Sequence, residues 1–151
     1  MWCNFSHFLL LLTILCGFAD ALKHEILPGE CVRMDSFDKG LVSLNGVLAL
    51  QLGSSGELEI WLFTASVHMK SGQSQSQKLI WRSSSGGLIF NYPAELCMQS
   101  DGNLVLYDST KYAVWATDTT GRRNVVARLE ENALRLISNN QVIWSSANSN
   151  G

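Results

Sequence analysis

The sequence predicts an all-β fold assembled from repeats, and three observations predict it. Short runs of alternating aliphatic and polar residues follow one another with no stretch of helical period, and only two prolines occur. Glycine, serine, asparagine and aspartate interrupt those runs where turns are needed. A tryptophan-centred pattern then recurs three times: Leu79-Ile80-Trp81-Arg82-Ser83, Ala113-Val114-Trp115-Ala116-Thr117 and Val142-Ile143-Trp144-Ser145-Ser146. Each reads apolar, apolar, Trp, variable, hydroxyl.

The chain opens on an apolar run, residues 8–15, that is too short to span a bilayer. Ala19-Asp20-Ala21 behind it supplies an A-x-A cleavage pattern. Residues 1–21 are therefore expected to be a signal peptide, although no Lys or Arg precedes the apolar run, and residues 22–151 to be one secreted domain. Cleavage removes Cys3 and Cys16 together with the sequon Asn4-Phe5-Ser6. It leaves Cys31 and Cys97, which in an oxidising compartment can bridge each other, stay free or link two chains. With 46% hydrophobic residues, 16% charged residues and a formal net charge of −2, the chain has no basic excess to suggest a nucleic-acid partner. No second apolar segment approaches membrane length.

Along the expected mature chain, Leu41-Val42-Ser43-Leu44 and Val47-Leu48-Ala49-Leu50 flank Asn45-Gly46. This predicts a two-residue hairpin with both turn residues at positive φ. Ser55-Gly56 and Asp101-Gly102 hold similar places later. Upstream of each Trp pattern lies a second alternating strand: Glu57 to Trp61, Asn103 to Tyr107 and Asn132 to Leu136. The first is separated from its tryptophan by an insertion, Phe63 to about Gln77, rich in Ser, Gly and Gln, which is expected to be an exposed mobile loop. A unit of about thirty residues cannot bury its own apolar face, so three are expected to close around a shared centre with pseudo-threefold symmetry. Trp81, Trp115 and Trp144 would fill that centre, each with an indole N–H that needs a partner.

One segment carries chemistry. Gln99-x-Asp101-x-Asn103-x-Val105-x-Tyr107 places two amides, a carboxylate, a small apolar patch and a phenol at two-residue spacing, hence on one face of an extended strand. A core face would be apolar, and a merely solvated one has no need of this donor and acceptor set. The row suits a small polyhydroxylated ligand, a sugar. Neither a metal nor another cofactor is expected, since carboxylates and histidines form no cluster with ligand spacing. Catalysis is not expected either. His24 and His68 have no partner in sequence, and Cys97 has no nearby His. Glu130 and Glu131 are adjacent, so on a strand they face opposite sides and cannot act as a paired acid and base.

The repeats and the complete motif together resemble the bulb-type, or monocot mannose-binding, lectins, which also occur as the lily-type lectins of fish skin mucus. The resemblance spans about residues 26–146. Leu41 to Gly46 is similar to the family's opening strand pair, and Leu96 to Gln99 and Ile143 to Gly151 are most similar to the mucus members. The resemblance implies a β-prism II of three four-stranded antiparallel sheets. It also implies a mannose-binding role for five residues: Asp101 and Asn103 on the axial 2-hydroxyl, Gln99 on O3, Tyr107 on O4, and Val105 against the sugar carbons. The other two repeats depart from the motif. Aligned by sequence, the first offers Gly53, Ser55, Glu57, Glu59 and Trp61, and the third offers Arg128, Glu130, Asn132, Leu134 and Leu136. Neither is expected to bind mannose, which leaves one site per chain. Mannose-containing glycans or glycoproteins are the implied partners, together with a second copy of the chain that exchanges the C-terminal strand, Gln141 to Ser146. A role in defence or surface recognition is what the family implies. A decayed lectin acting through protein contacts is the alternative.

Overall fold

The computed structural model describes residues 23–34, 40–64, 76–84, 93–130 and 132–149. The expected signal segment, His68 and Glu131 lie outside them. Among the described residues there are twelve strands and no helix. They are β1 (Glu25–Ile26), β2 (Cys31–Met34), β3 (Leu41–Val42), β4 (Leu48–Leu52), β5 (Leu58–Thr64), β6 (Ser76–Arg82), β7 (Ala94–Met98), β8 (Leu104–Tyr107), β9 (Ala113–Ala116), β10 (Val126–Glu130), β11 (Ala133–Ser138) and β12 (Gln141–Ser145).

These strands form three four-stranded antiparallel sheets, ordered β3-β4-β5-β6, β2-β7-β8-β9 and β1-β10-β11-β12. Each repeat supplies three consecutive strands, and the fourth comes from the N-terminal stretch. That stretch gives β1 to the last sheet, β2 to the middle one and β3 to the first. Each sheet turns an apolar face inward. Leu48, Leu50, Leu58 and Ile60 of the first, Leu96, Met98, Leu104 and Leu106 of the second, and Ala127, Leu129, Leu134 and Leu136 of the third join one buried core. The architecture is a β-prism II.

The recurring Trp pattern has a mechanical explanation. Trp81 pairs with Ile60, Trp115 with Leu106 and Trp144 with Leu136, and the register shifts immediately afterwards in all three sheets. The apolar residue before each Trp (Ile80, Val114, Ile143) is therefore the extra residue of a β-bulge, which bends the strand and re-aims the indole. The hydroxyl two positions after each Trp closes the strand end. Ser83 Oγ accepts from the Leu58 amide at 2.9 Å, Thr117 Oγ1 from Leu104 at 3.1 Å and Ser146 Oγ from Leu134 at 3.0 Å. The three indoles meet edge to face at centroid separations of 5.9, 6.2 and 6.0 Å. The expectation that each indole N–H finds a partner fails at Trp81, whose buried Nε1 has none among the described residues.

Two expectations about connections are corrected. Asn45-Gly46 is not a two-residue turn with both residues at positive φ. Gly46 alone is there, at +70°, and its amide reaches Ser43 O at 2.8 Å. Asn45 keeps negative φ because its Oδ1 accepts from Ser43 Oγ at 2.7 Å and from the Val47 amide at 3.2 Å, an Asx arrangement that stabilises the wider loop. Leu44 is thereby a turn residue, 82% exposed, rather than a strand residue. The insertion in the first repeat likewise begins later than expected. Phe63 pairs with Gln77 and Thr64 with Ser76, so β5 and β6 run on into it. Residues 65–75 lie outside the described residues.

Cys31 and Cys97 face each other across β2 and β7 and are bonded as a disulfide that closes a loop of sequence separation 66. The bridge ties a short edge strand to the middle sheet. Reducing it, or replacing both cysteines by alanine, is expected to lower stability by about 2–5 kcal/mol, read as a shift of the urea unfolding midpoint. A second dependence comes from the β8–β9 turn. Asp108 Oδ1 accepts from the Thr110 hydroxyl, the Tyr112 amide and the Thr110 amide at 2.6, 3.0 and 2.8 Å. The Thr110 hydroxyl, helped by these amides and opposed by desolvation, holds its carboxyl below the usual value. A lowered folded pKa adds stability above the unfolded value of about 3.9 and loses it as pH falls through the folded one. Thermal unfolding of Asp108→Asn should therefore differ most from wild type near neutral pH, and the difference should close below about pH 4.

Candidate functional site

The five motif residues lie around one hairpin of the middle sheet. The chain leaves β7 at Met98, turns through Gln99-Ser100-Asp101-Gly102 and enters β8 at Leu104. The turn is closed by the Gly102 amide on Gln99 O at 3.1 Å and the Gln99 amide on Asn103 O at 2.8 Å, with Gly102 at φ +96°. Only Val105 and Tyr107 therefore stand on a strand. Asp101 is a turn residue, and Gln99 and Asn103 face each other at the hairpin mouth. The two-residue spacing nevertheless brings the side chains together, because Gln99 and Asn103 are the next outward pair after Cys97 and Val105.

Gln99 Nε2 donates to the Tyr107 hydroxyl at 2.6 Å, joining the two ends of the motif across the Cys97–Val105 row. Val105, 3% exposed, is the floor beneath this span, with the Cys31–Cys97 disulfide beside it on the neighbouring strands. Asp101 is exposed, and its Oδ1 accepts from the Asn103 amide at 3.0 Å. Asn103 is 8% exposed, and its Oδ1 accepts from Thr117 Oγ1 at 3.1 Å and the Thr119 amide at 3.3 Å. The open face then offers a carboxylate oxygen from Asp101, an NH₂ from Asn103, the carbonyl oxygen of Gln99 and the hydroxyl hydrogen of Tyr107. Both partners needed by a vicinal diol, donors and acceptors, are within one small patch.

No motif in the sequence marks Thr117 and Thr119 as site residues. Thr117 was visible as the hydroxyl of the Trp pattern, but nothing in the spacing tied Thr119 to Asn103, some sixteen residues away. The segment they belong to wraps the turn. Gly121 and Arg122 amides both reach Asp101 O, at 2.9 and 3.0 Å. A Cβ on Gly102 would lie 2.5 Å from Arg122 O, so the close approach requires glycine.

The corresponding surfaces of the other sheets are occupied by their own charges. In the first, Arg82 bonds Glu57 at 3.1 Å and Glu59 at 3.2 Å, Trp61 Nε1 donates to Glu59 at 2.9 Å and Ser55 to Glu57 at 3.0 Å. The Glu59 carboxyl lies over Gly53, where a Cβ would stand 2.6 Å from it, and so fills the room that the Gln99 side chain has in the middle sheet. For the third sheet the sequence alignment needs correction. Leu136 pairs with Trp144 as Leu106 does with Trp115, so Leu134 and Leu136 are core residues with no exposure. The β10–β11 hairpin is one residue shorter than the β7–β8 hairpin, as the pairs Leu129–Leu134 and Met98–Leu104 show. A slip of one residue exchanges the two faces of a strand. The true counterparts of Gln99, Asn103, Val105 and Tyr107 are Glu130, Ala133, Arg135 and Ile137. Glu130 is held by Arg128 at 3.7 Å and Arg135 at 3.4 Å, and Arg128 also bonds Glu25 at 2.9 Å.

Two depressions lie away from the motif. One, of about 130 Å³, involves His24, Leu44, Arg128 and Glu130, and the other, of about 350 Å³, runs along Val142 to Ser145. Among the described residues the one grouping with metal-ligand potential is Cys31, Glu95 and Cys97, and its two sulfurs are bonded to each other.

No protein-family model matches the chain, and no curated protein does. Solved structures do match. The monomeric monocot mannose-binding lectins from Gastrodia elata superpose with a TM-score of 0.59 at 22% identity, over 83% of this chain and 98% of theirs. A lectin of Marasmius oreades gives 0.60 at 19% identity, over 83% and 92%. The mannose-specific agglutinin of snowdrop (Galanthus nivalis) bulbs, solved with methyl-α-D-mannoside, gives 0.57 at 23% identity, over 85% and 100%. The chain has the β-prism II fold of the monocot mannose-binding lectins.

Proposed function

We propose that this chain is a secreted carbohydrate-binding protein that recognises mannose or mannose-containing glycans through one metal-independent site at Gln99, Asp101, Asn103, Val105 and Tyr107. The observation that carries the reading is the convergence of complementary donors and acceptors on one open face, on a fold whose solved examples include mannose-binding lectins. Asp101 accepts from a sugar hydroxyl and Asn103 donates to it, while Gln99 and Tyr107 serve the hydroxyls beyond. Selectivity follows from the penalty for mismatch. An epimer with one hydroxyl misplaced leaves a polar group of the site unpaired, at about 1–3 kcal/mol. The chain is read as a binder rather than an enzyme, in line with the lectins that share its fold.

One shallow monosaccharide site holds its ligand at about the millimolar level, near −4 kcal/mol. Function in defence or surface recognition then depends on several copies binding together. The C-terminal edge strand is the surface we assign to a homodimer: β12 carries Val142, 53% exposed, above the depression that runs along it.

Retention of residues 22–151 on immobilised mannose, with elution by free mannose, tests the reading. Wild type should be retained, Asp101→Ala should flow through, and titration should give one mannose per chain. Equal retention of the variant would move the site elsewhere. Flow-through of folded wild type would leave the alternative, a lectin fold that acts through protein contacts.

A further inference from the structure

The sugar reading names the groups that touch ligand, but it leaves open what decides which end of the Asn103 amide faces outward. An asparagine side chain presents NH₂ or oxygen equally well, and beside a carboxylate the choice is decisive. The Thr119 backbone N–H lies 3.3 Å from Asn103 Oδ1. A backbone N–H can only donate, so the atom it meets must be the oxygen. Thr117 Oγ1, which accepts the Leu104 amide, lies 3.1 Å from the same atom and shares its one hydrogen between Asn103 Oδ1 and Thr119 Oγ1. With its oxygen committed on the buried side, Asn103 turns its NH₂ toward Asp101's open face.

Thr119 is itself held in place. Its Oγ1 donates to Gly102 O at 2.6 Å and lies 2.9 Å from Thr117 Oγ1. Gly121 and Arg122 grip Asp101 O from the same segment. Thr117 has structural counterparts in Ser83 and Ser146, which bond the equivalent Leu amides. Thr119 has no such counterpart in the third sheet, where Asn148 bonds back to Ser145 O at 3.1 Å. Among the described residues, the device is thus present in the middle sheet and not in the third.

We infer that Thr119 is a positioning residue that locks Asn103 as a hydrogen-bond donor next to the Asp101 acceptor, so that the site demands a free hydroxyl between them. A hydroxyl donates to the carboxylate and accepts from the NH₂ at once. An ether oxygen or a C–H cannot do both. The inference rests on the proposed sugar site and assigns how its selectivity arises.

The test compares mannose with 2-deoxymannose by NMR titration of wild type, Thr119→Val, Thr119→Ser and Asn103→Asp. The valine should weaken mannose about ten-fold while leaving 2-deoxymannose within about two-fold, and serine should restore the wild-type values. Asn103→Asp retains an oxygen for the Thr119 amide, so it should stay folded yet lose mannose by more than about ten-fold, because it turns a second acceptor toward the ligand. The inference is overturned if valine matches wild type, if it weakens both sugars equally, or if aspartate at 103 binds mannose normally. Should Thr119→Val fail to fold, Thr119→Ala, which removes the same hydroxyl without a branched side chain, takes its place with the same expected and overturning outcomes. Wild type that binds neither sugar would overturn the sugar site itself and this inference with it.

Discussion

Everything in this molecule depends on three indoles meeting on one axis. Each four-stranded sheet has a single apolar face and no independent core, so it is stable only when that face is covered. Trp81, Trp115 and Trp144 contact one another in edge-to-face pairs with interplanar angles of 70°, 84° and 70°. Such pairs add about 0.5–1.5 kcal/mol each beyond the area they bury. The triad is not fully satisfied. The buried Trp81 Nε1 without a partner costs on the order of 1–3 kcal/mol, a penalty offset by the apolar surface the three rings take from water. The β-bulge before each Trp is the local device that makes the meeting possible, since a regular strand would not aim the ring at the axis.

With the interior fixed by this triad, the outer faces are free to differ, and they do. The middle sheet leaves its polar groups facing solvent around Val105. The first sheet closes Glu57, Glu59, Arg82 and Trp61 into a mutual network, and the third does the same with Glu25, Arg128, Glu130 and Arg135. These pairs are part-exposed, so each adds little to stability. Their consequence is occupancy. A carboxylate already bonded to a guanidinium has few lone pairs left for a hydroxyl, and Glu59 over Gly53 takes the space as well.

Much of this was legible in the sequence because it follows from local periodicity. The three Trp patterns, the alternating strands before them and the all-β, three-unit closure rest on residues whose roles depend on near neighbours. The clustering of the five motif residues was legible too, although the expected continuous strand is a hairpin mouth, with Asp101 in its turn. What escaped depends on distant partners or on loop length. Asn45 keeps negative φ because Ser43 and Val47 satisfy its side chain, and the third repeat slips by one residue because its hairpin is shorter. The Thr119 amide meets Asn103 across two intervening strands, β8 and β9, and their turn, which no spacing rule connects. The pairing of Cys31 with Cys97 required knowing that β2 and β7 are neighbours.

If the site takes a sugar as proposed, its arrangement accounts for weak binding of a single monosaccharide. Each side chain already spends one polar atom within the protein: Gln99 Nε2 on Tyr107, Asp101 Oδ1 on the Asn103 amide, and Asn103 Oδ1 on Thr117 and Thr119. A ligand hydroxyl would replace water on the atoms left open, so the net gain per contact is about 1 kcal/mol rather than the several of a bare hydrogen bond. The disulfide, the glycine turn and the threonine segment reduce the ordering cost, because little of the site needs to freeze on contact. Rigidity of this kind leaves the polar groups unable to relax around a misfitted epimer. For a sugar ligand such an architecture favours discrimination over strength, and strength would then come from the number of sites presented together.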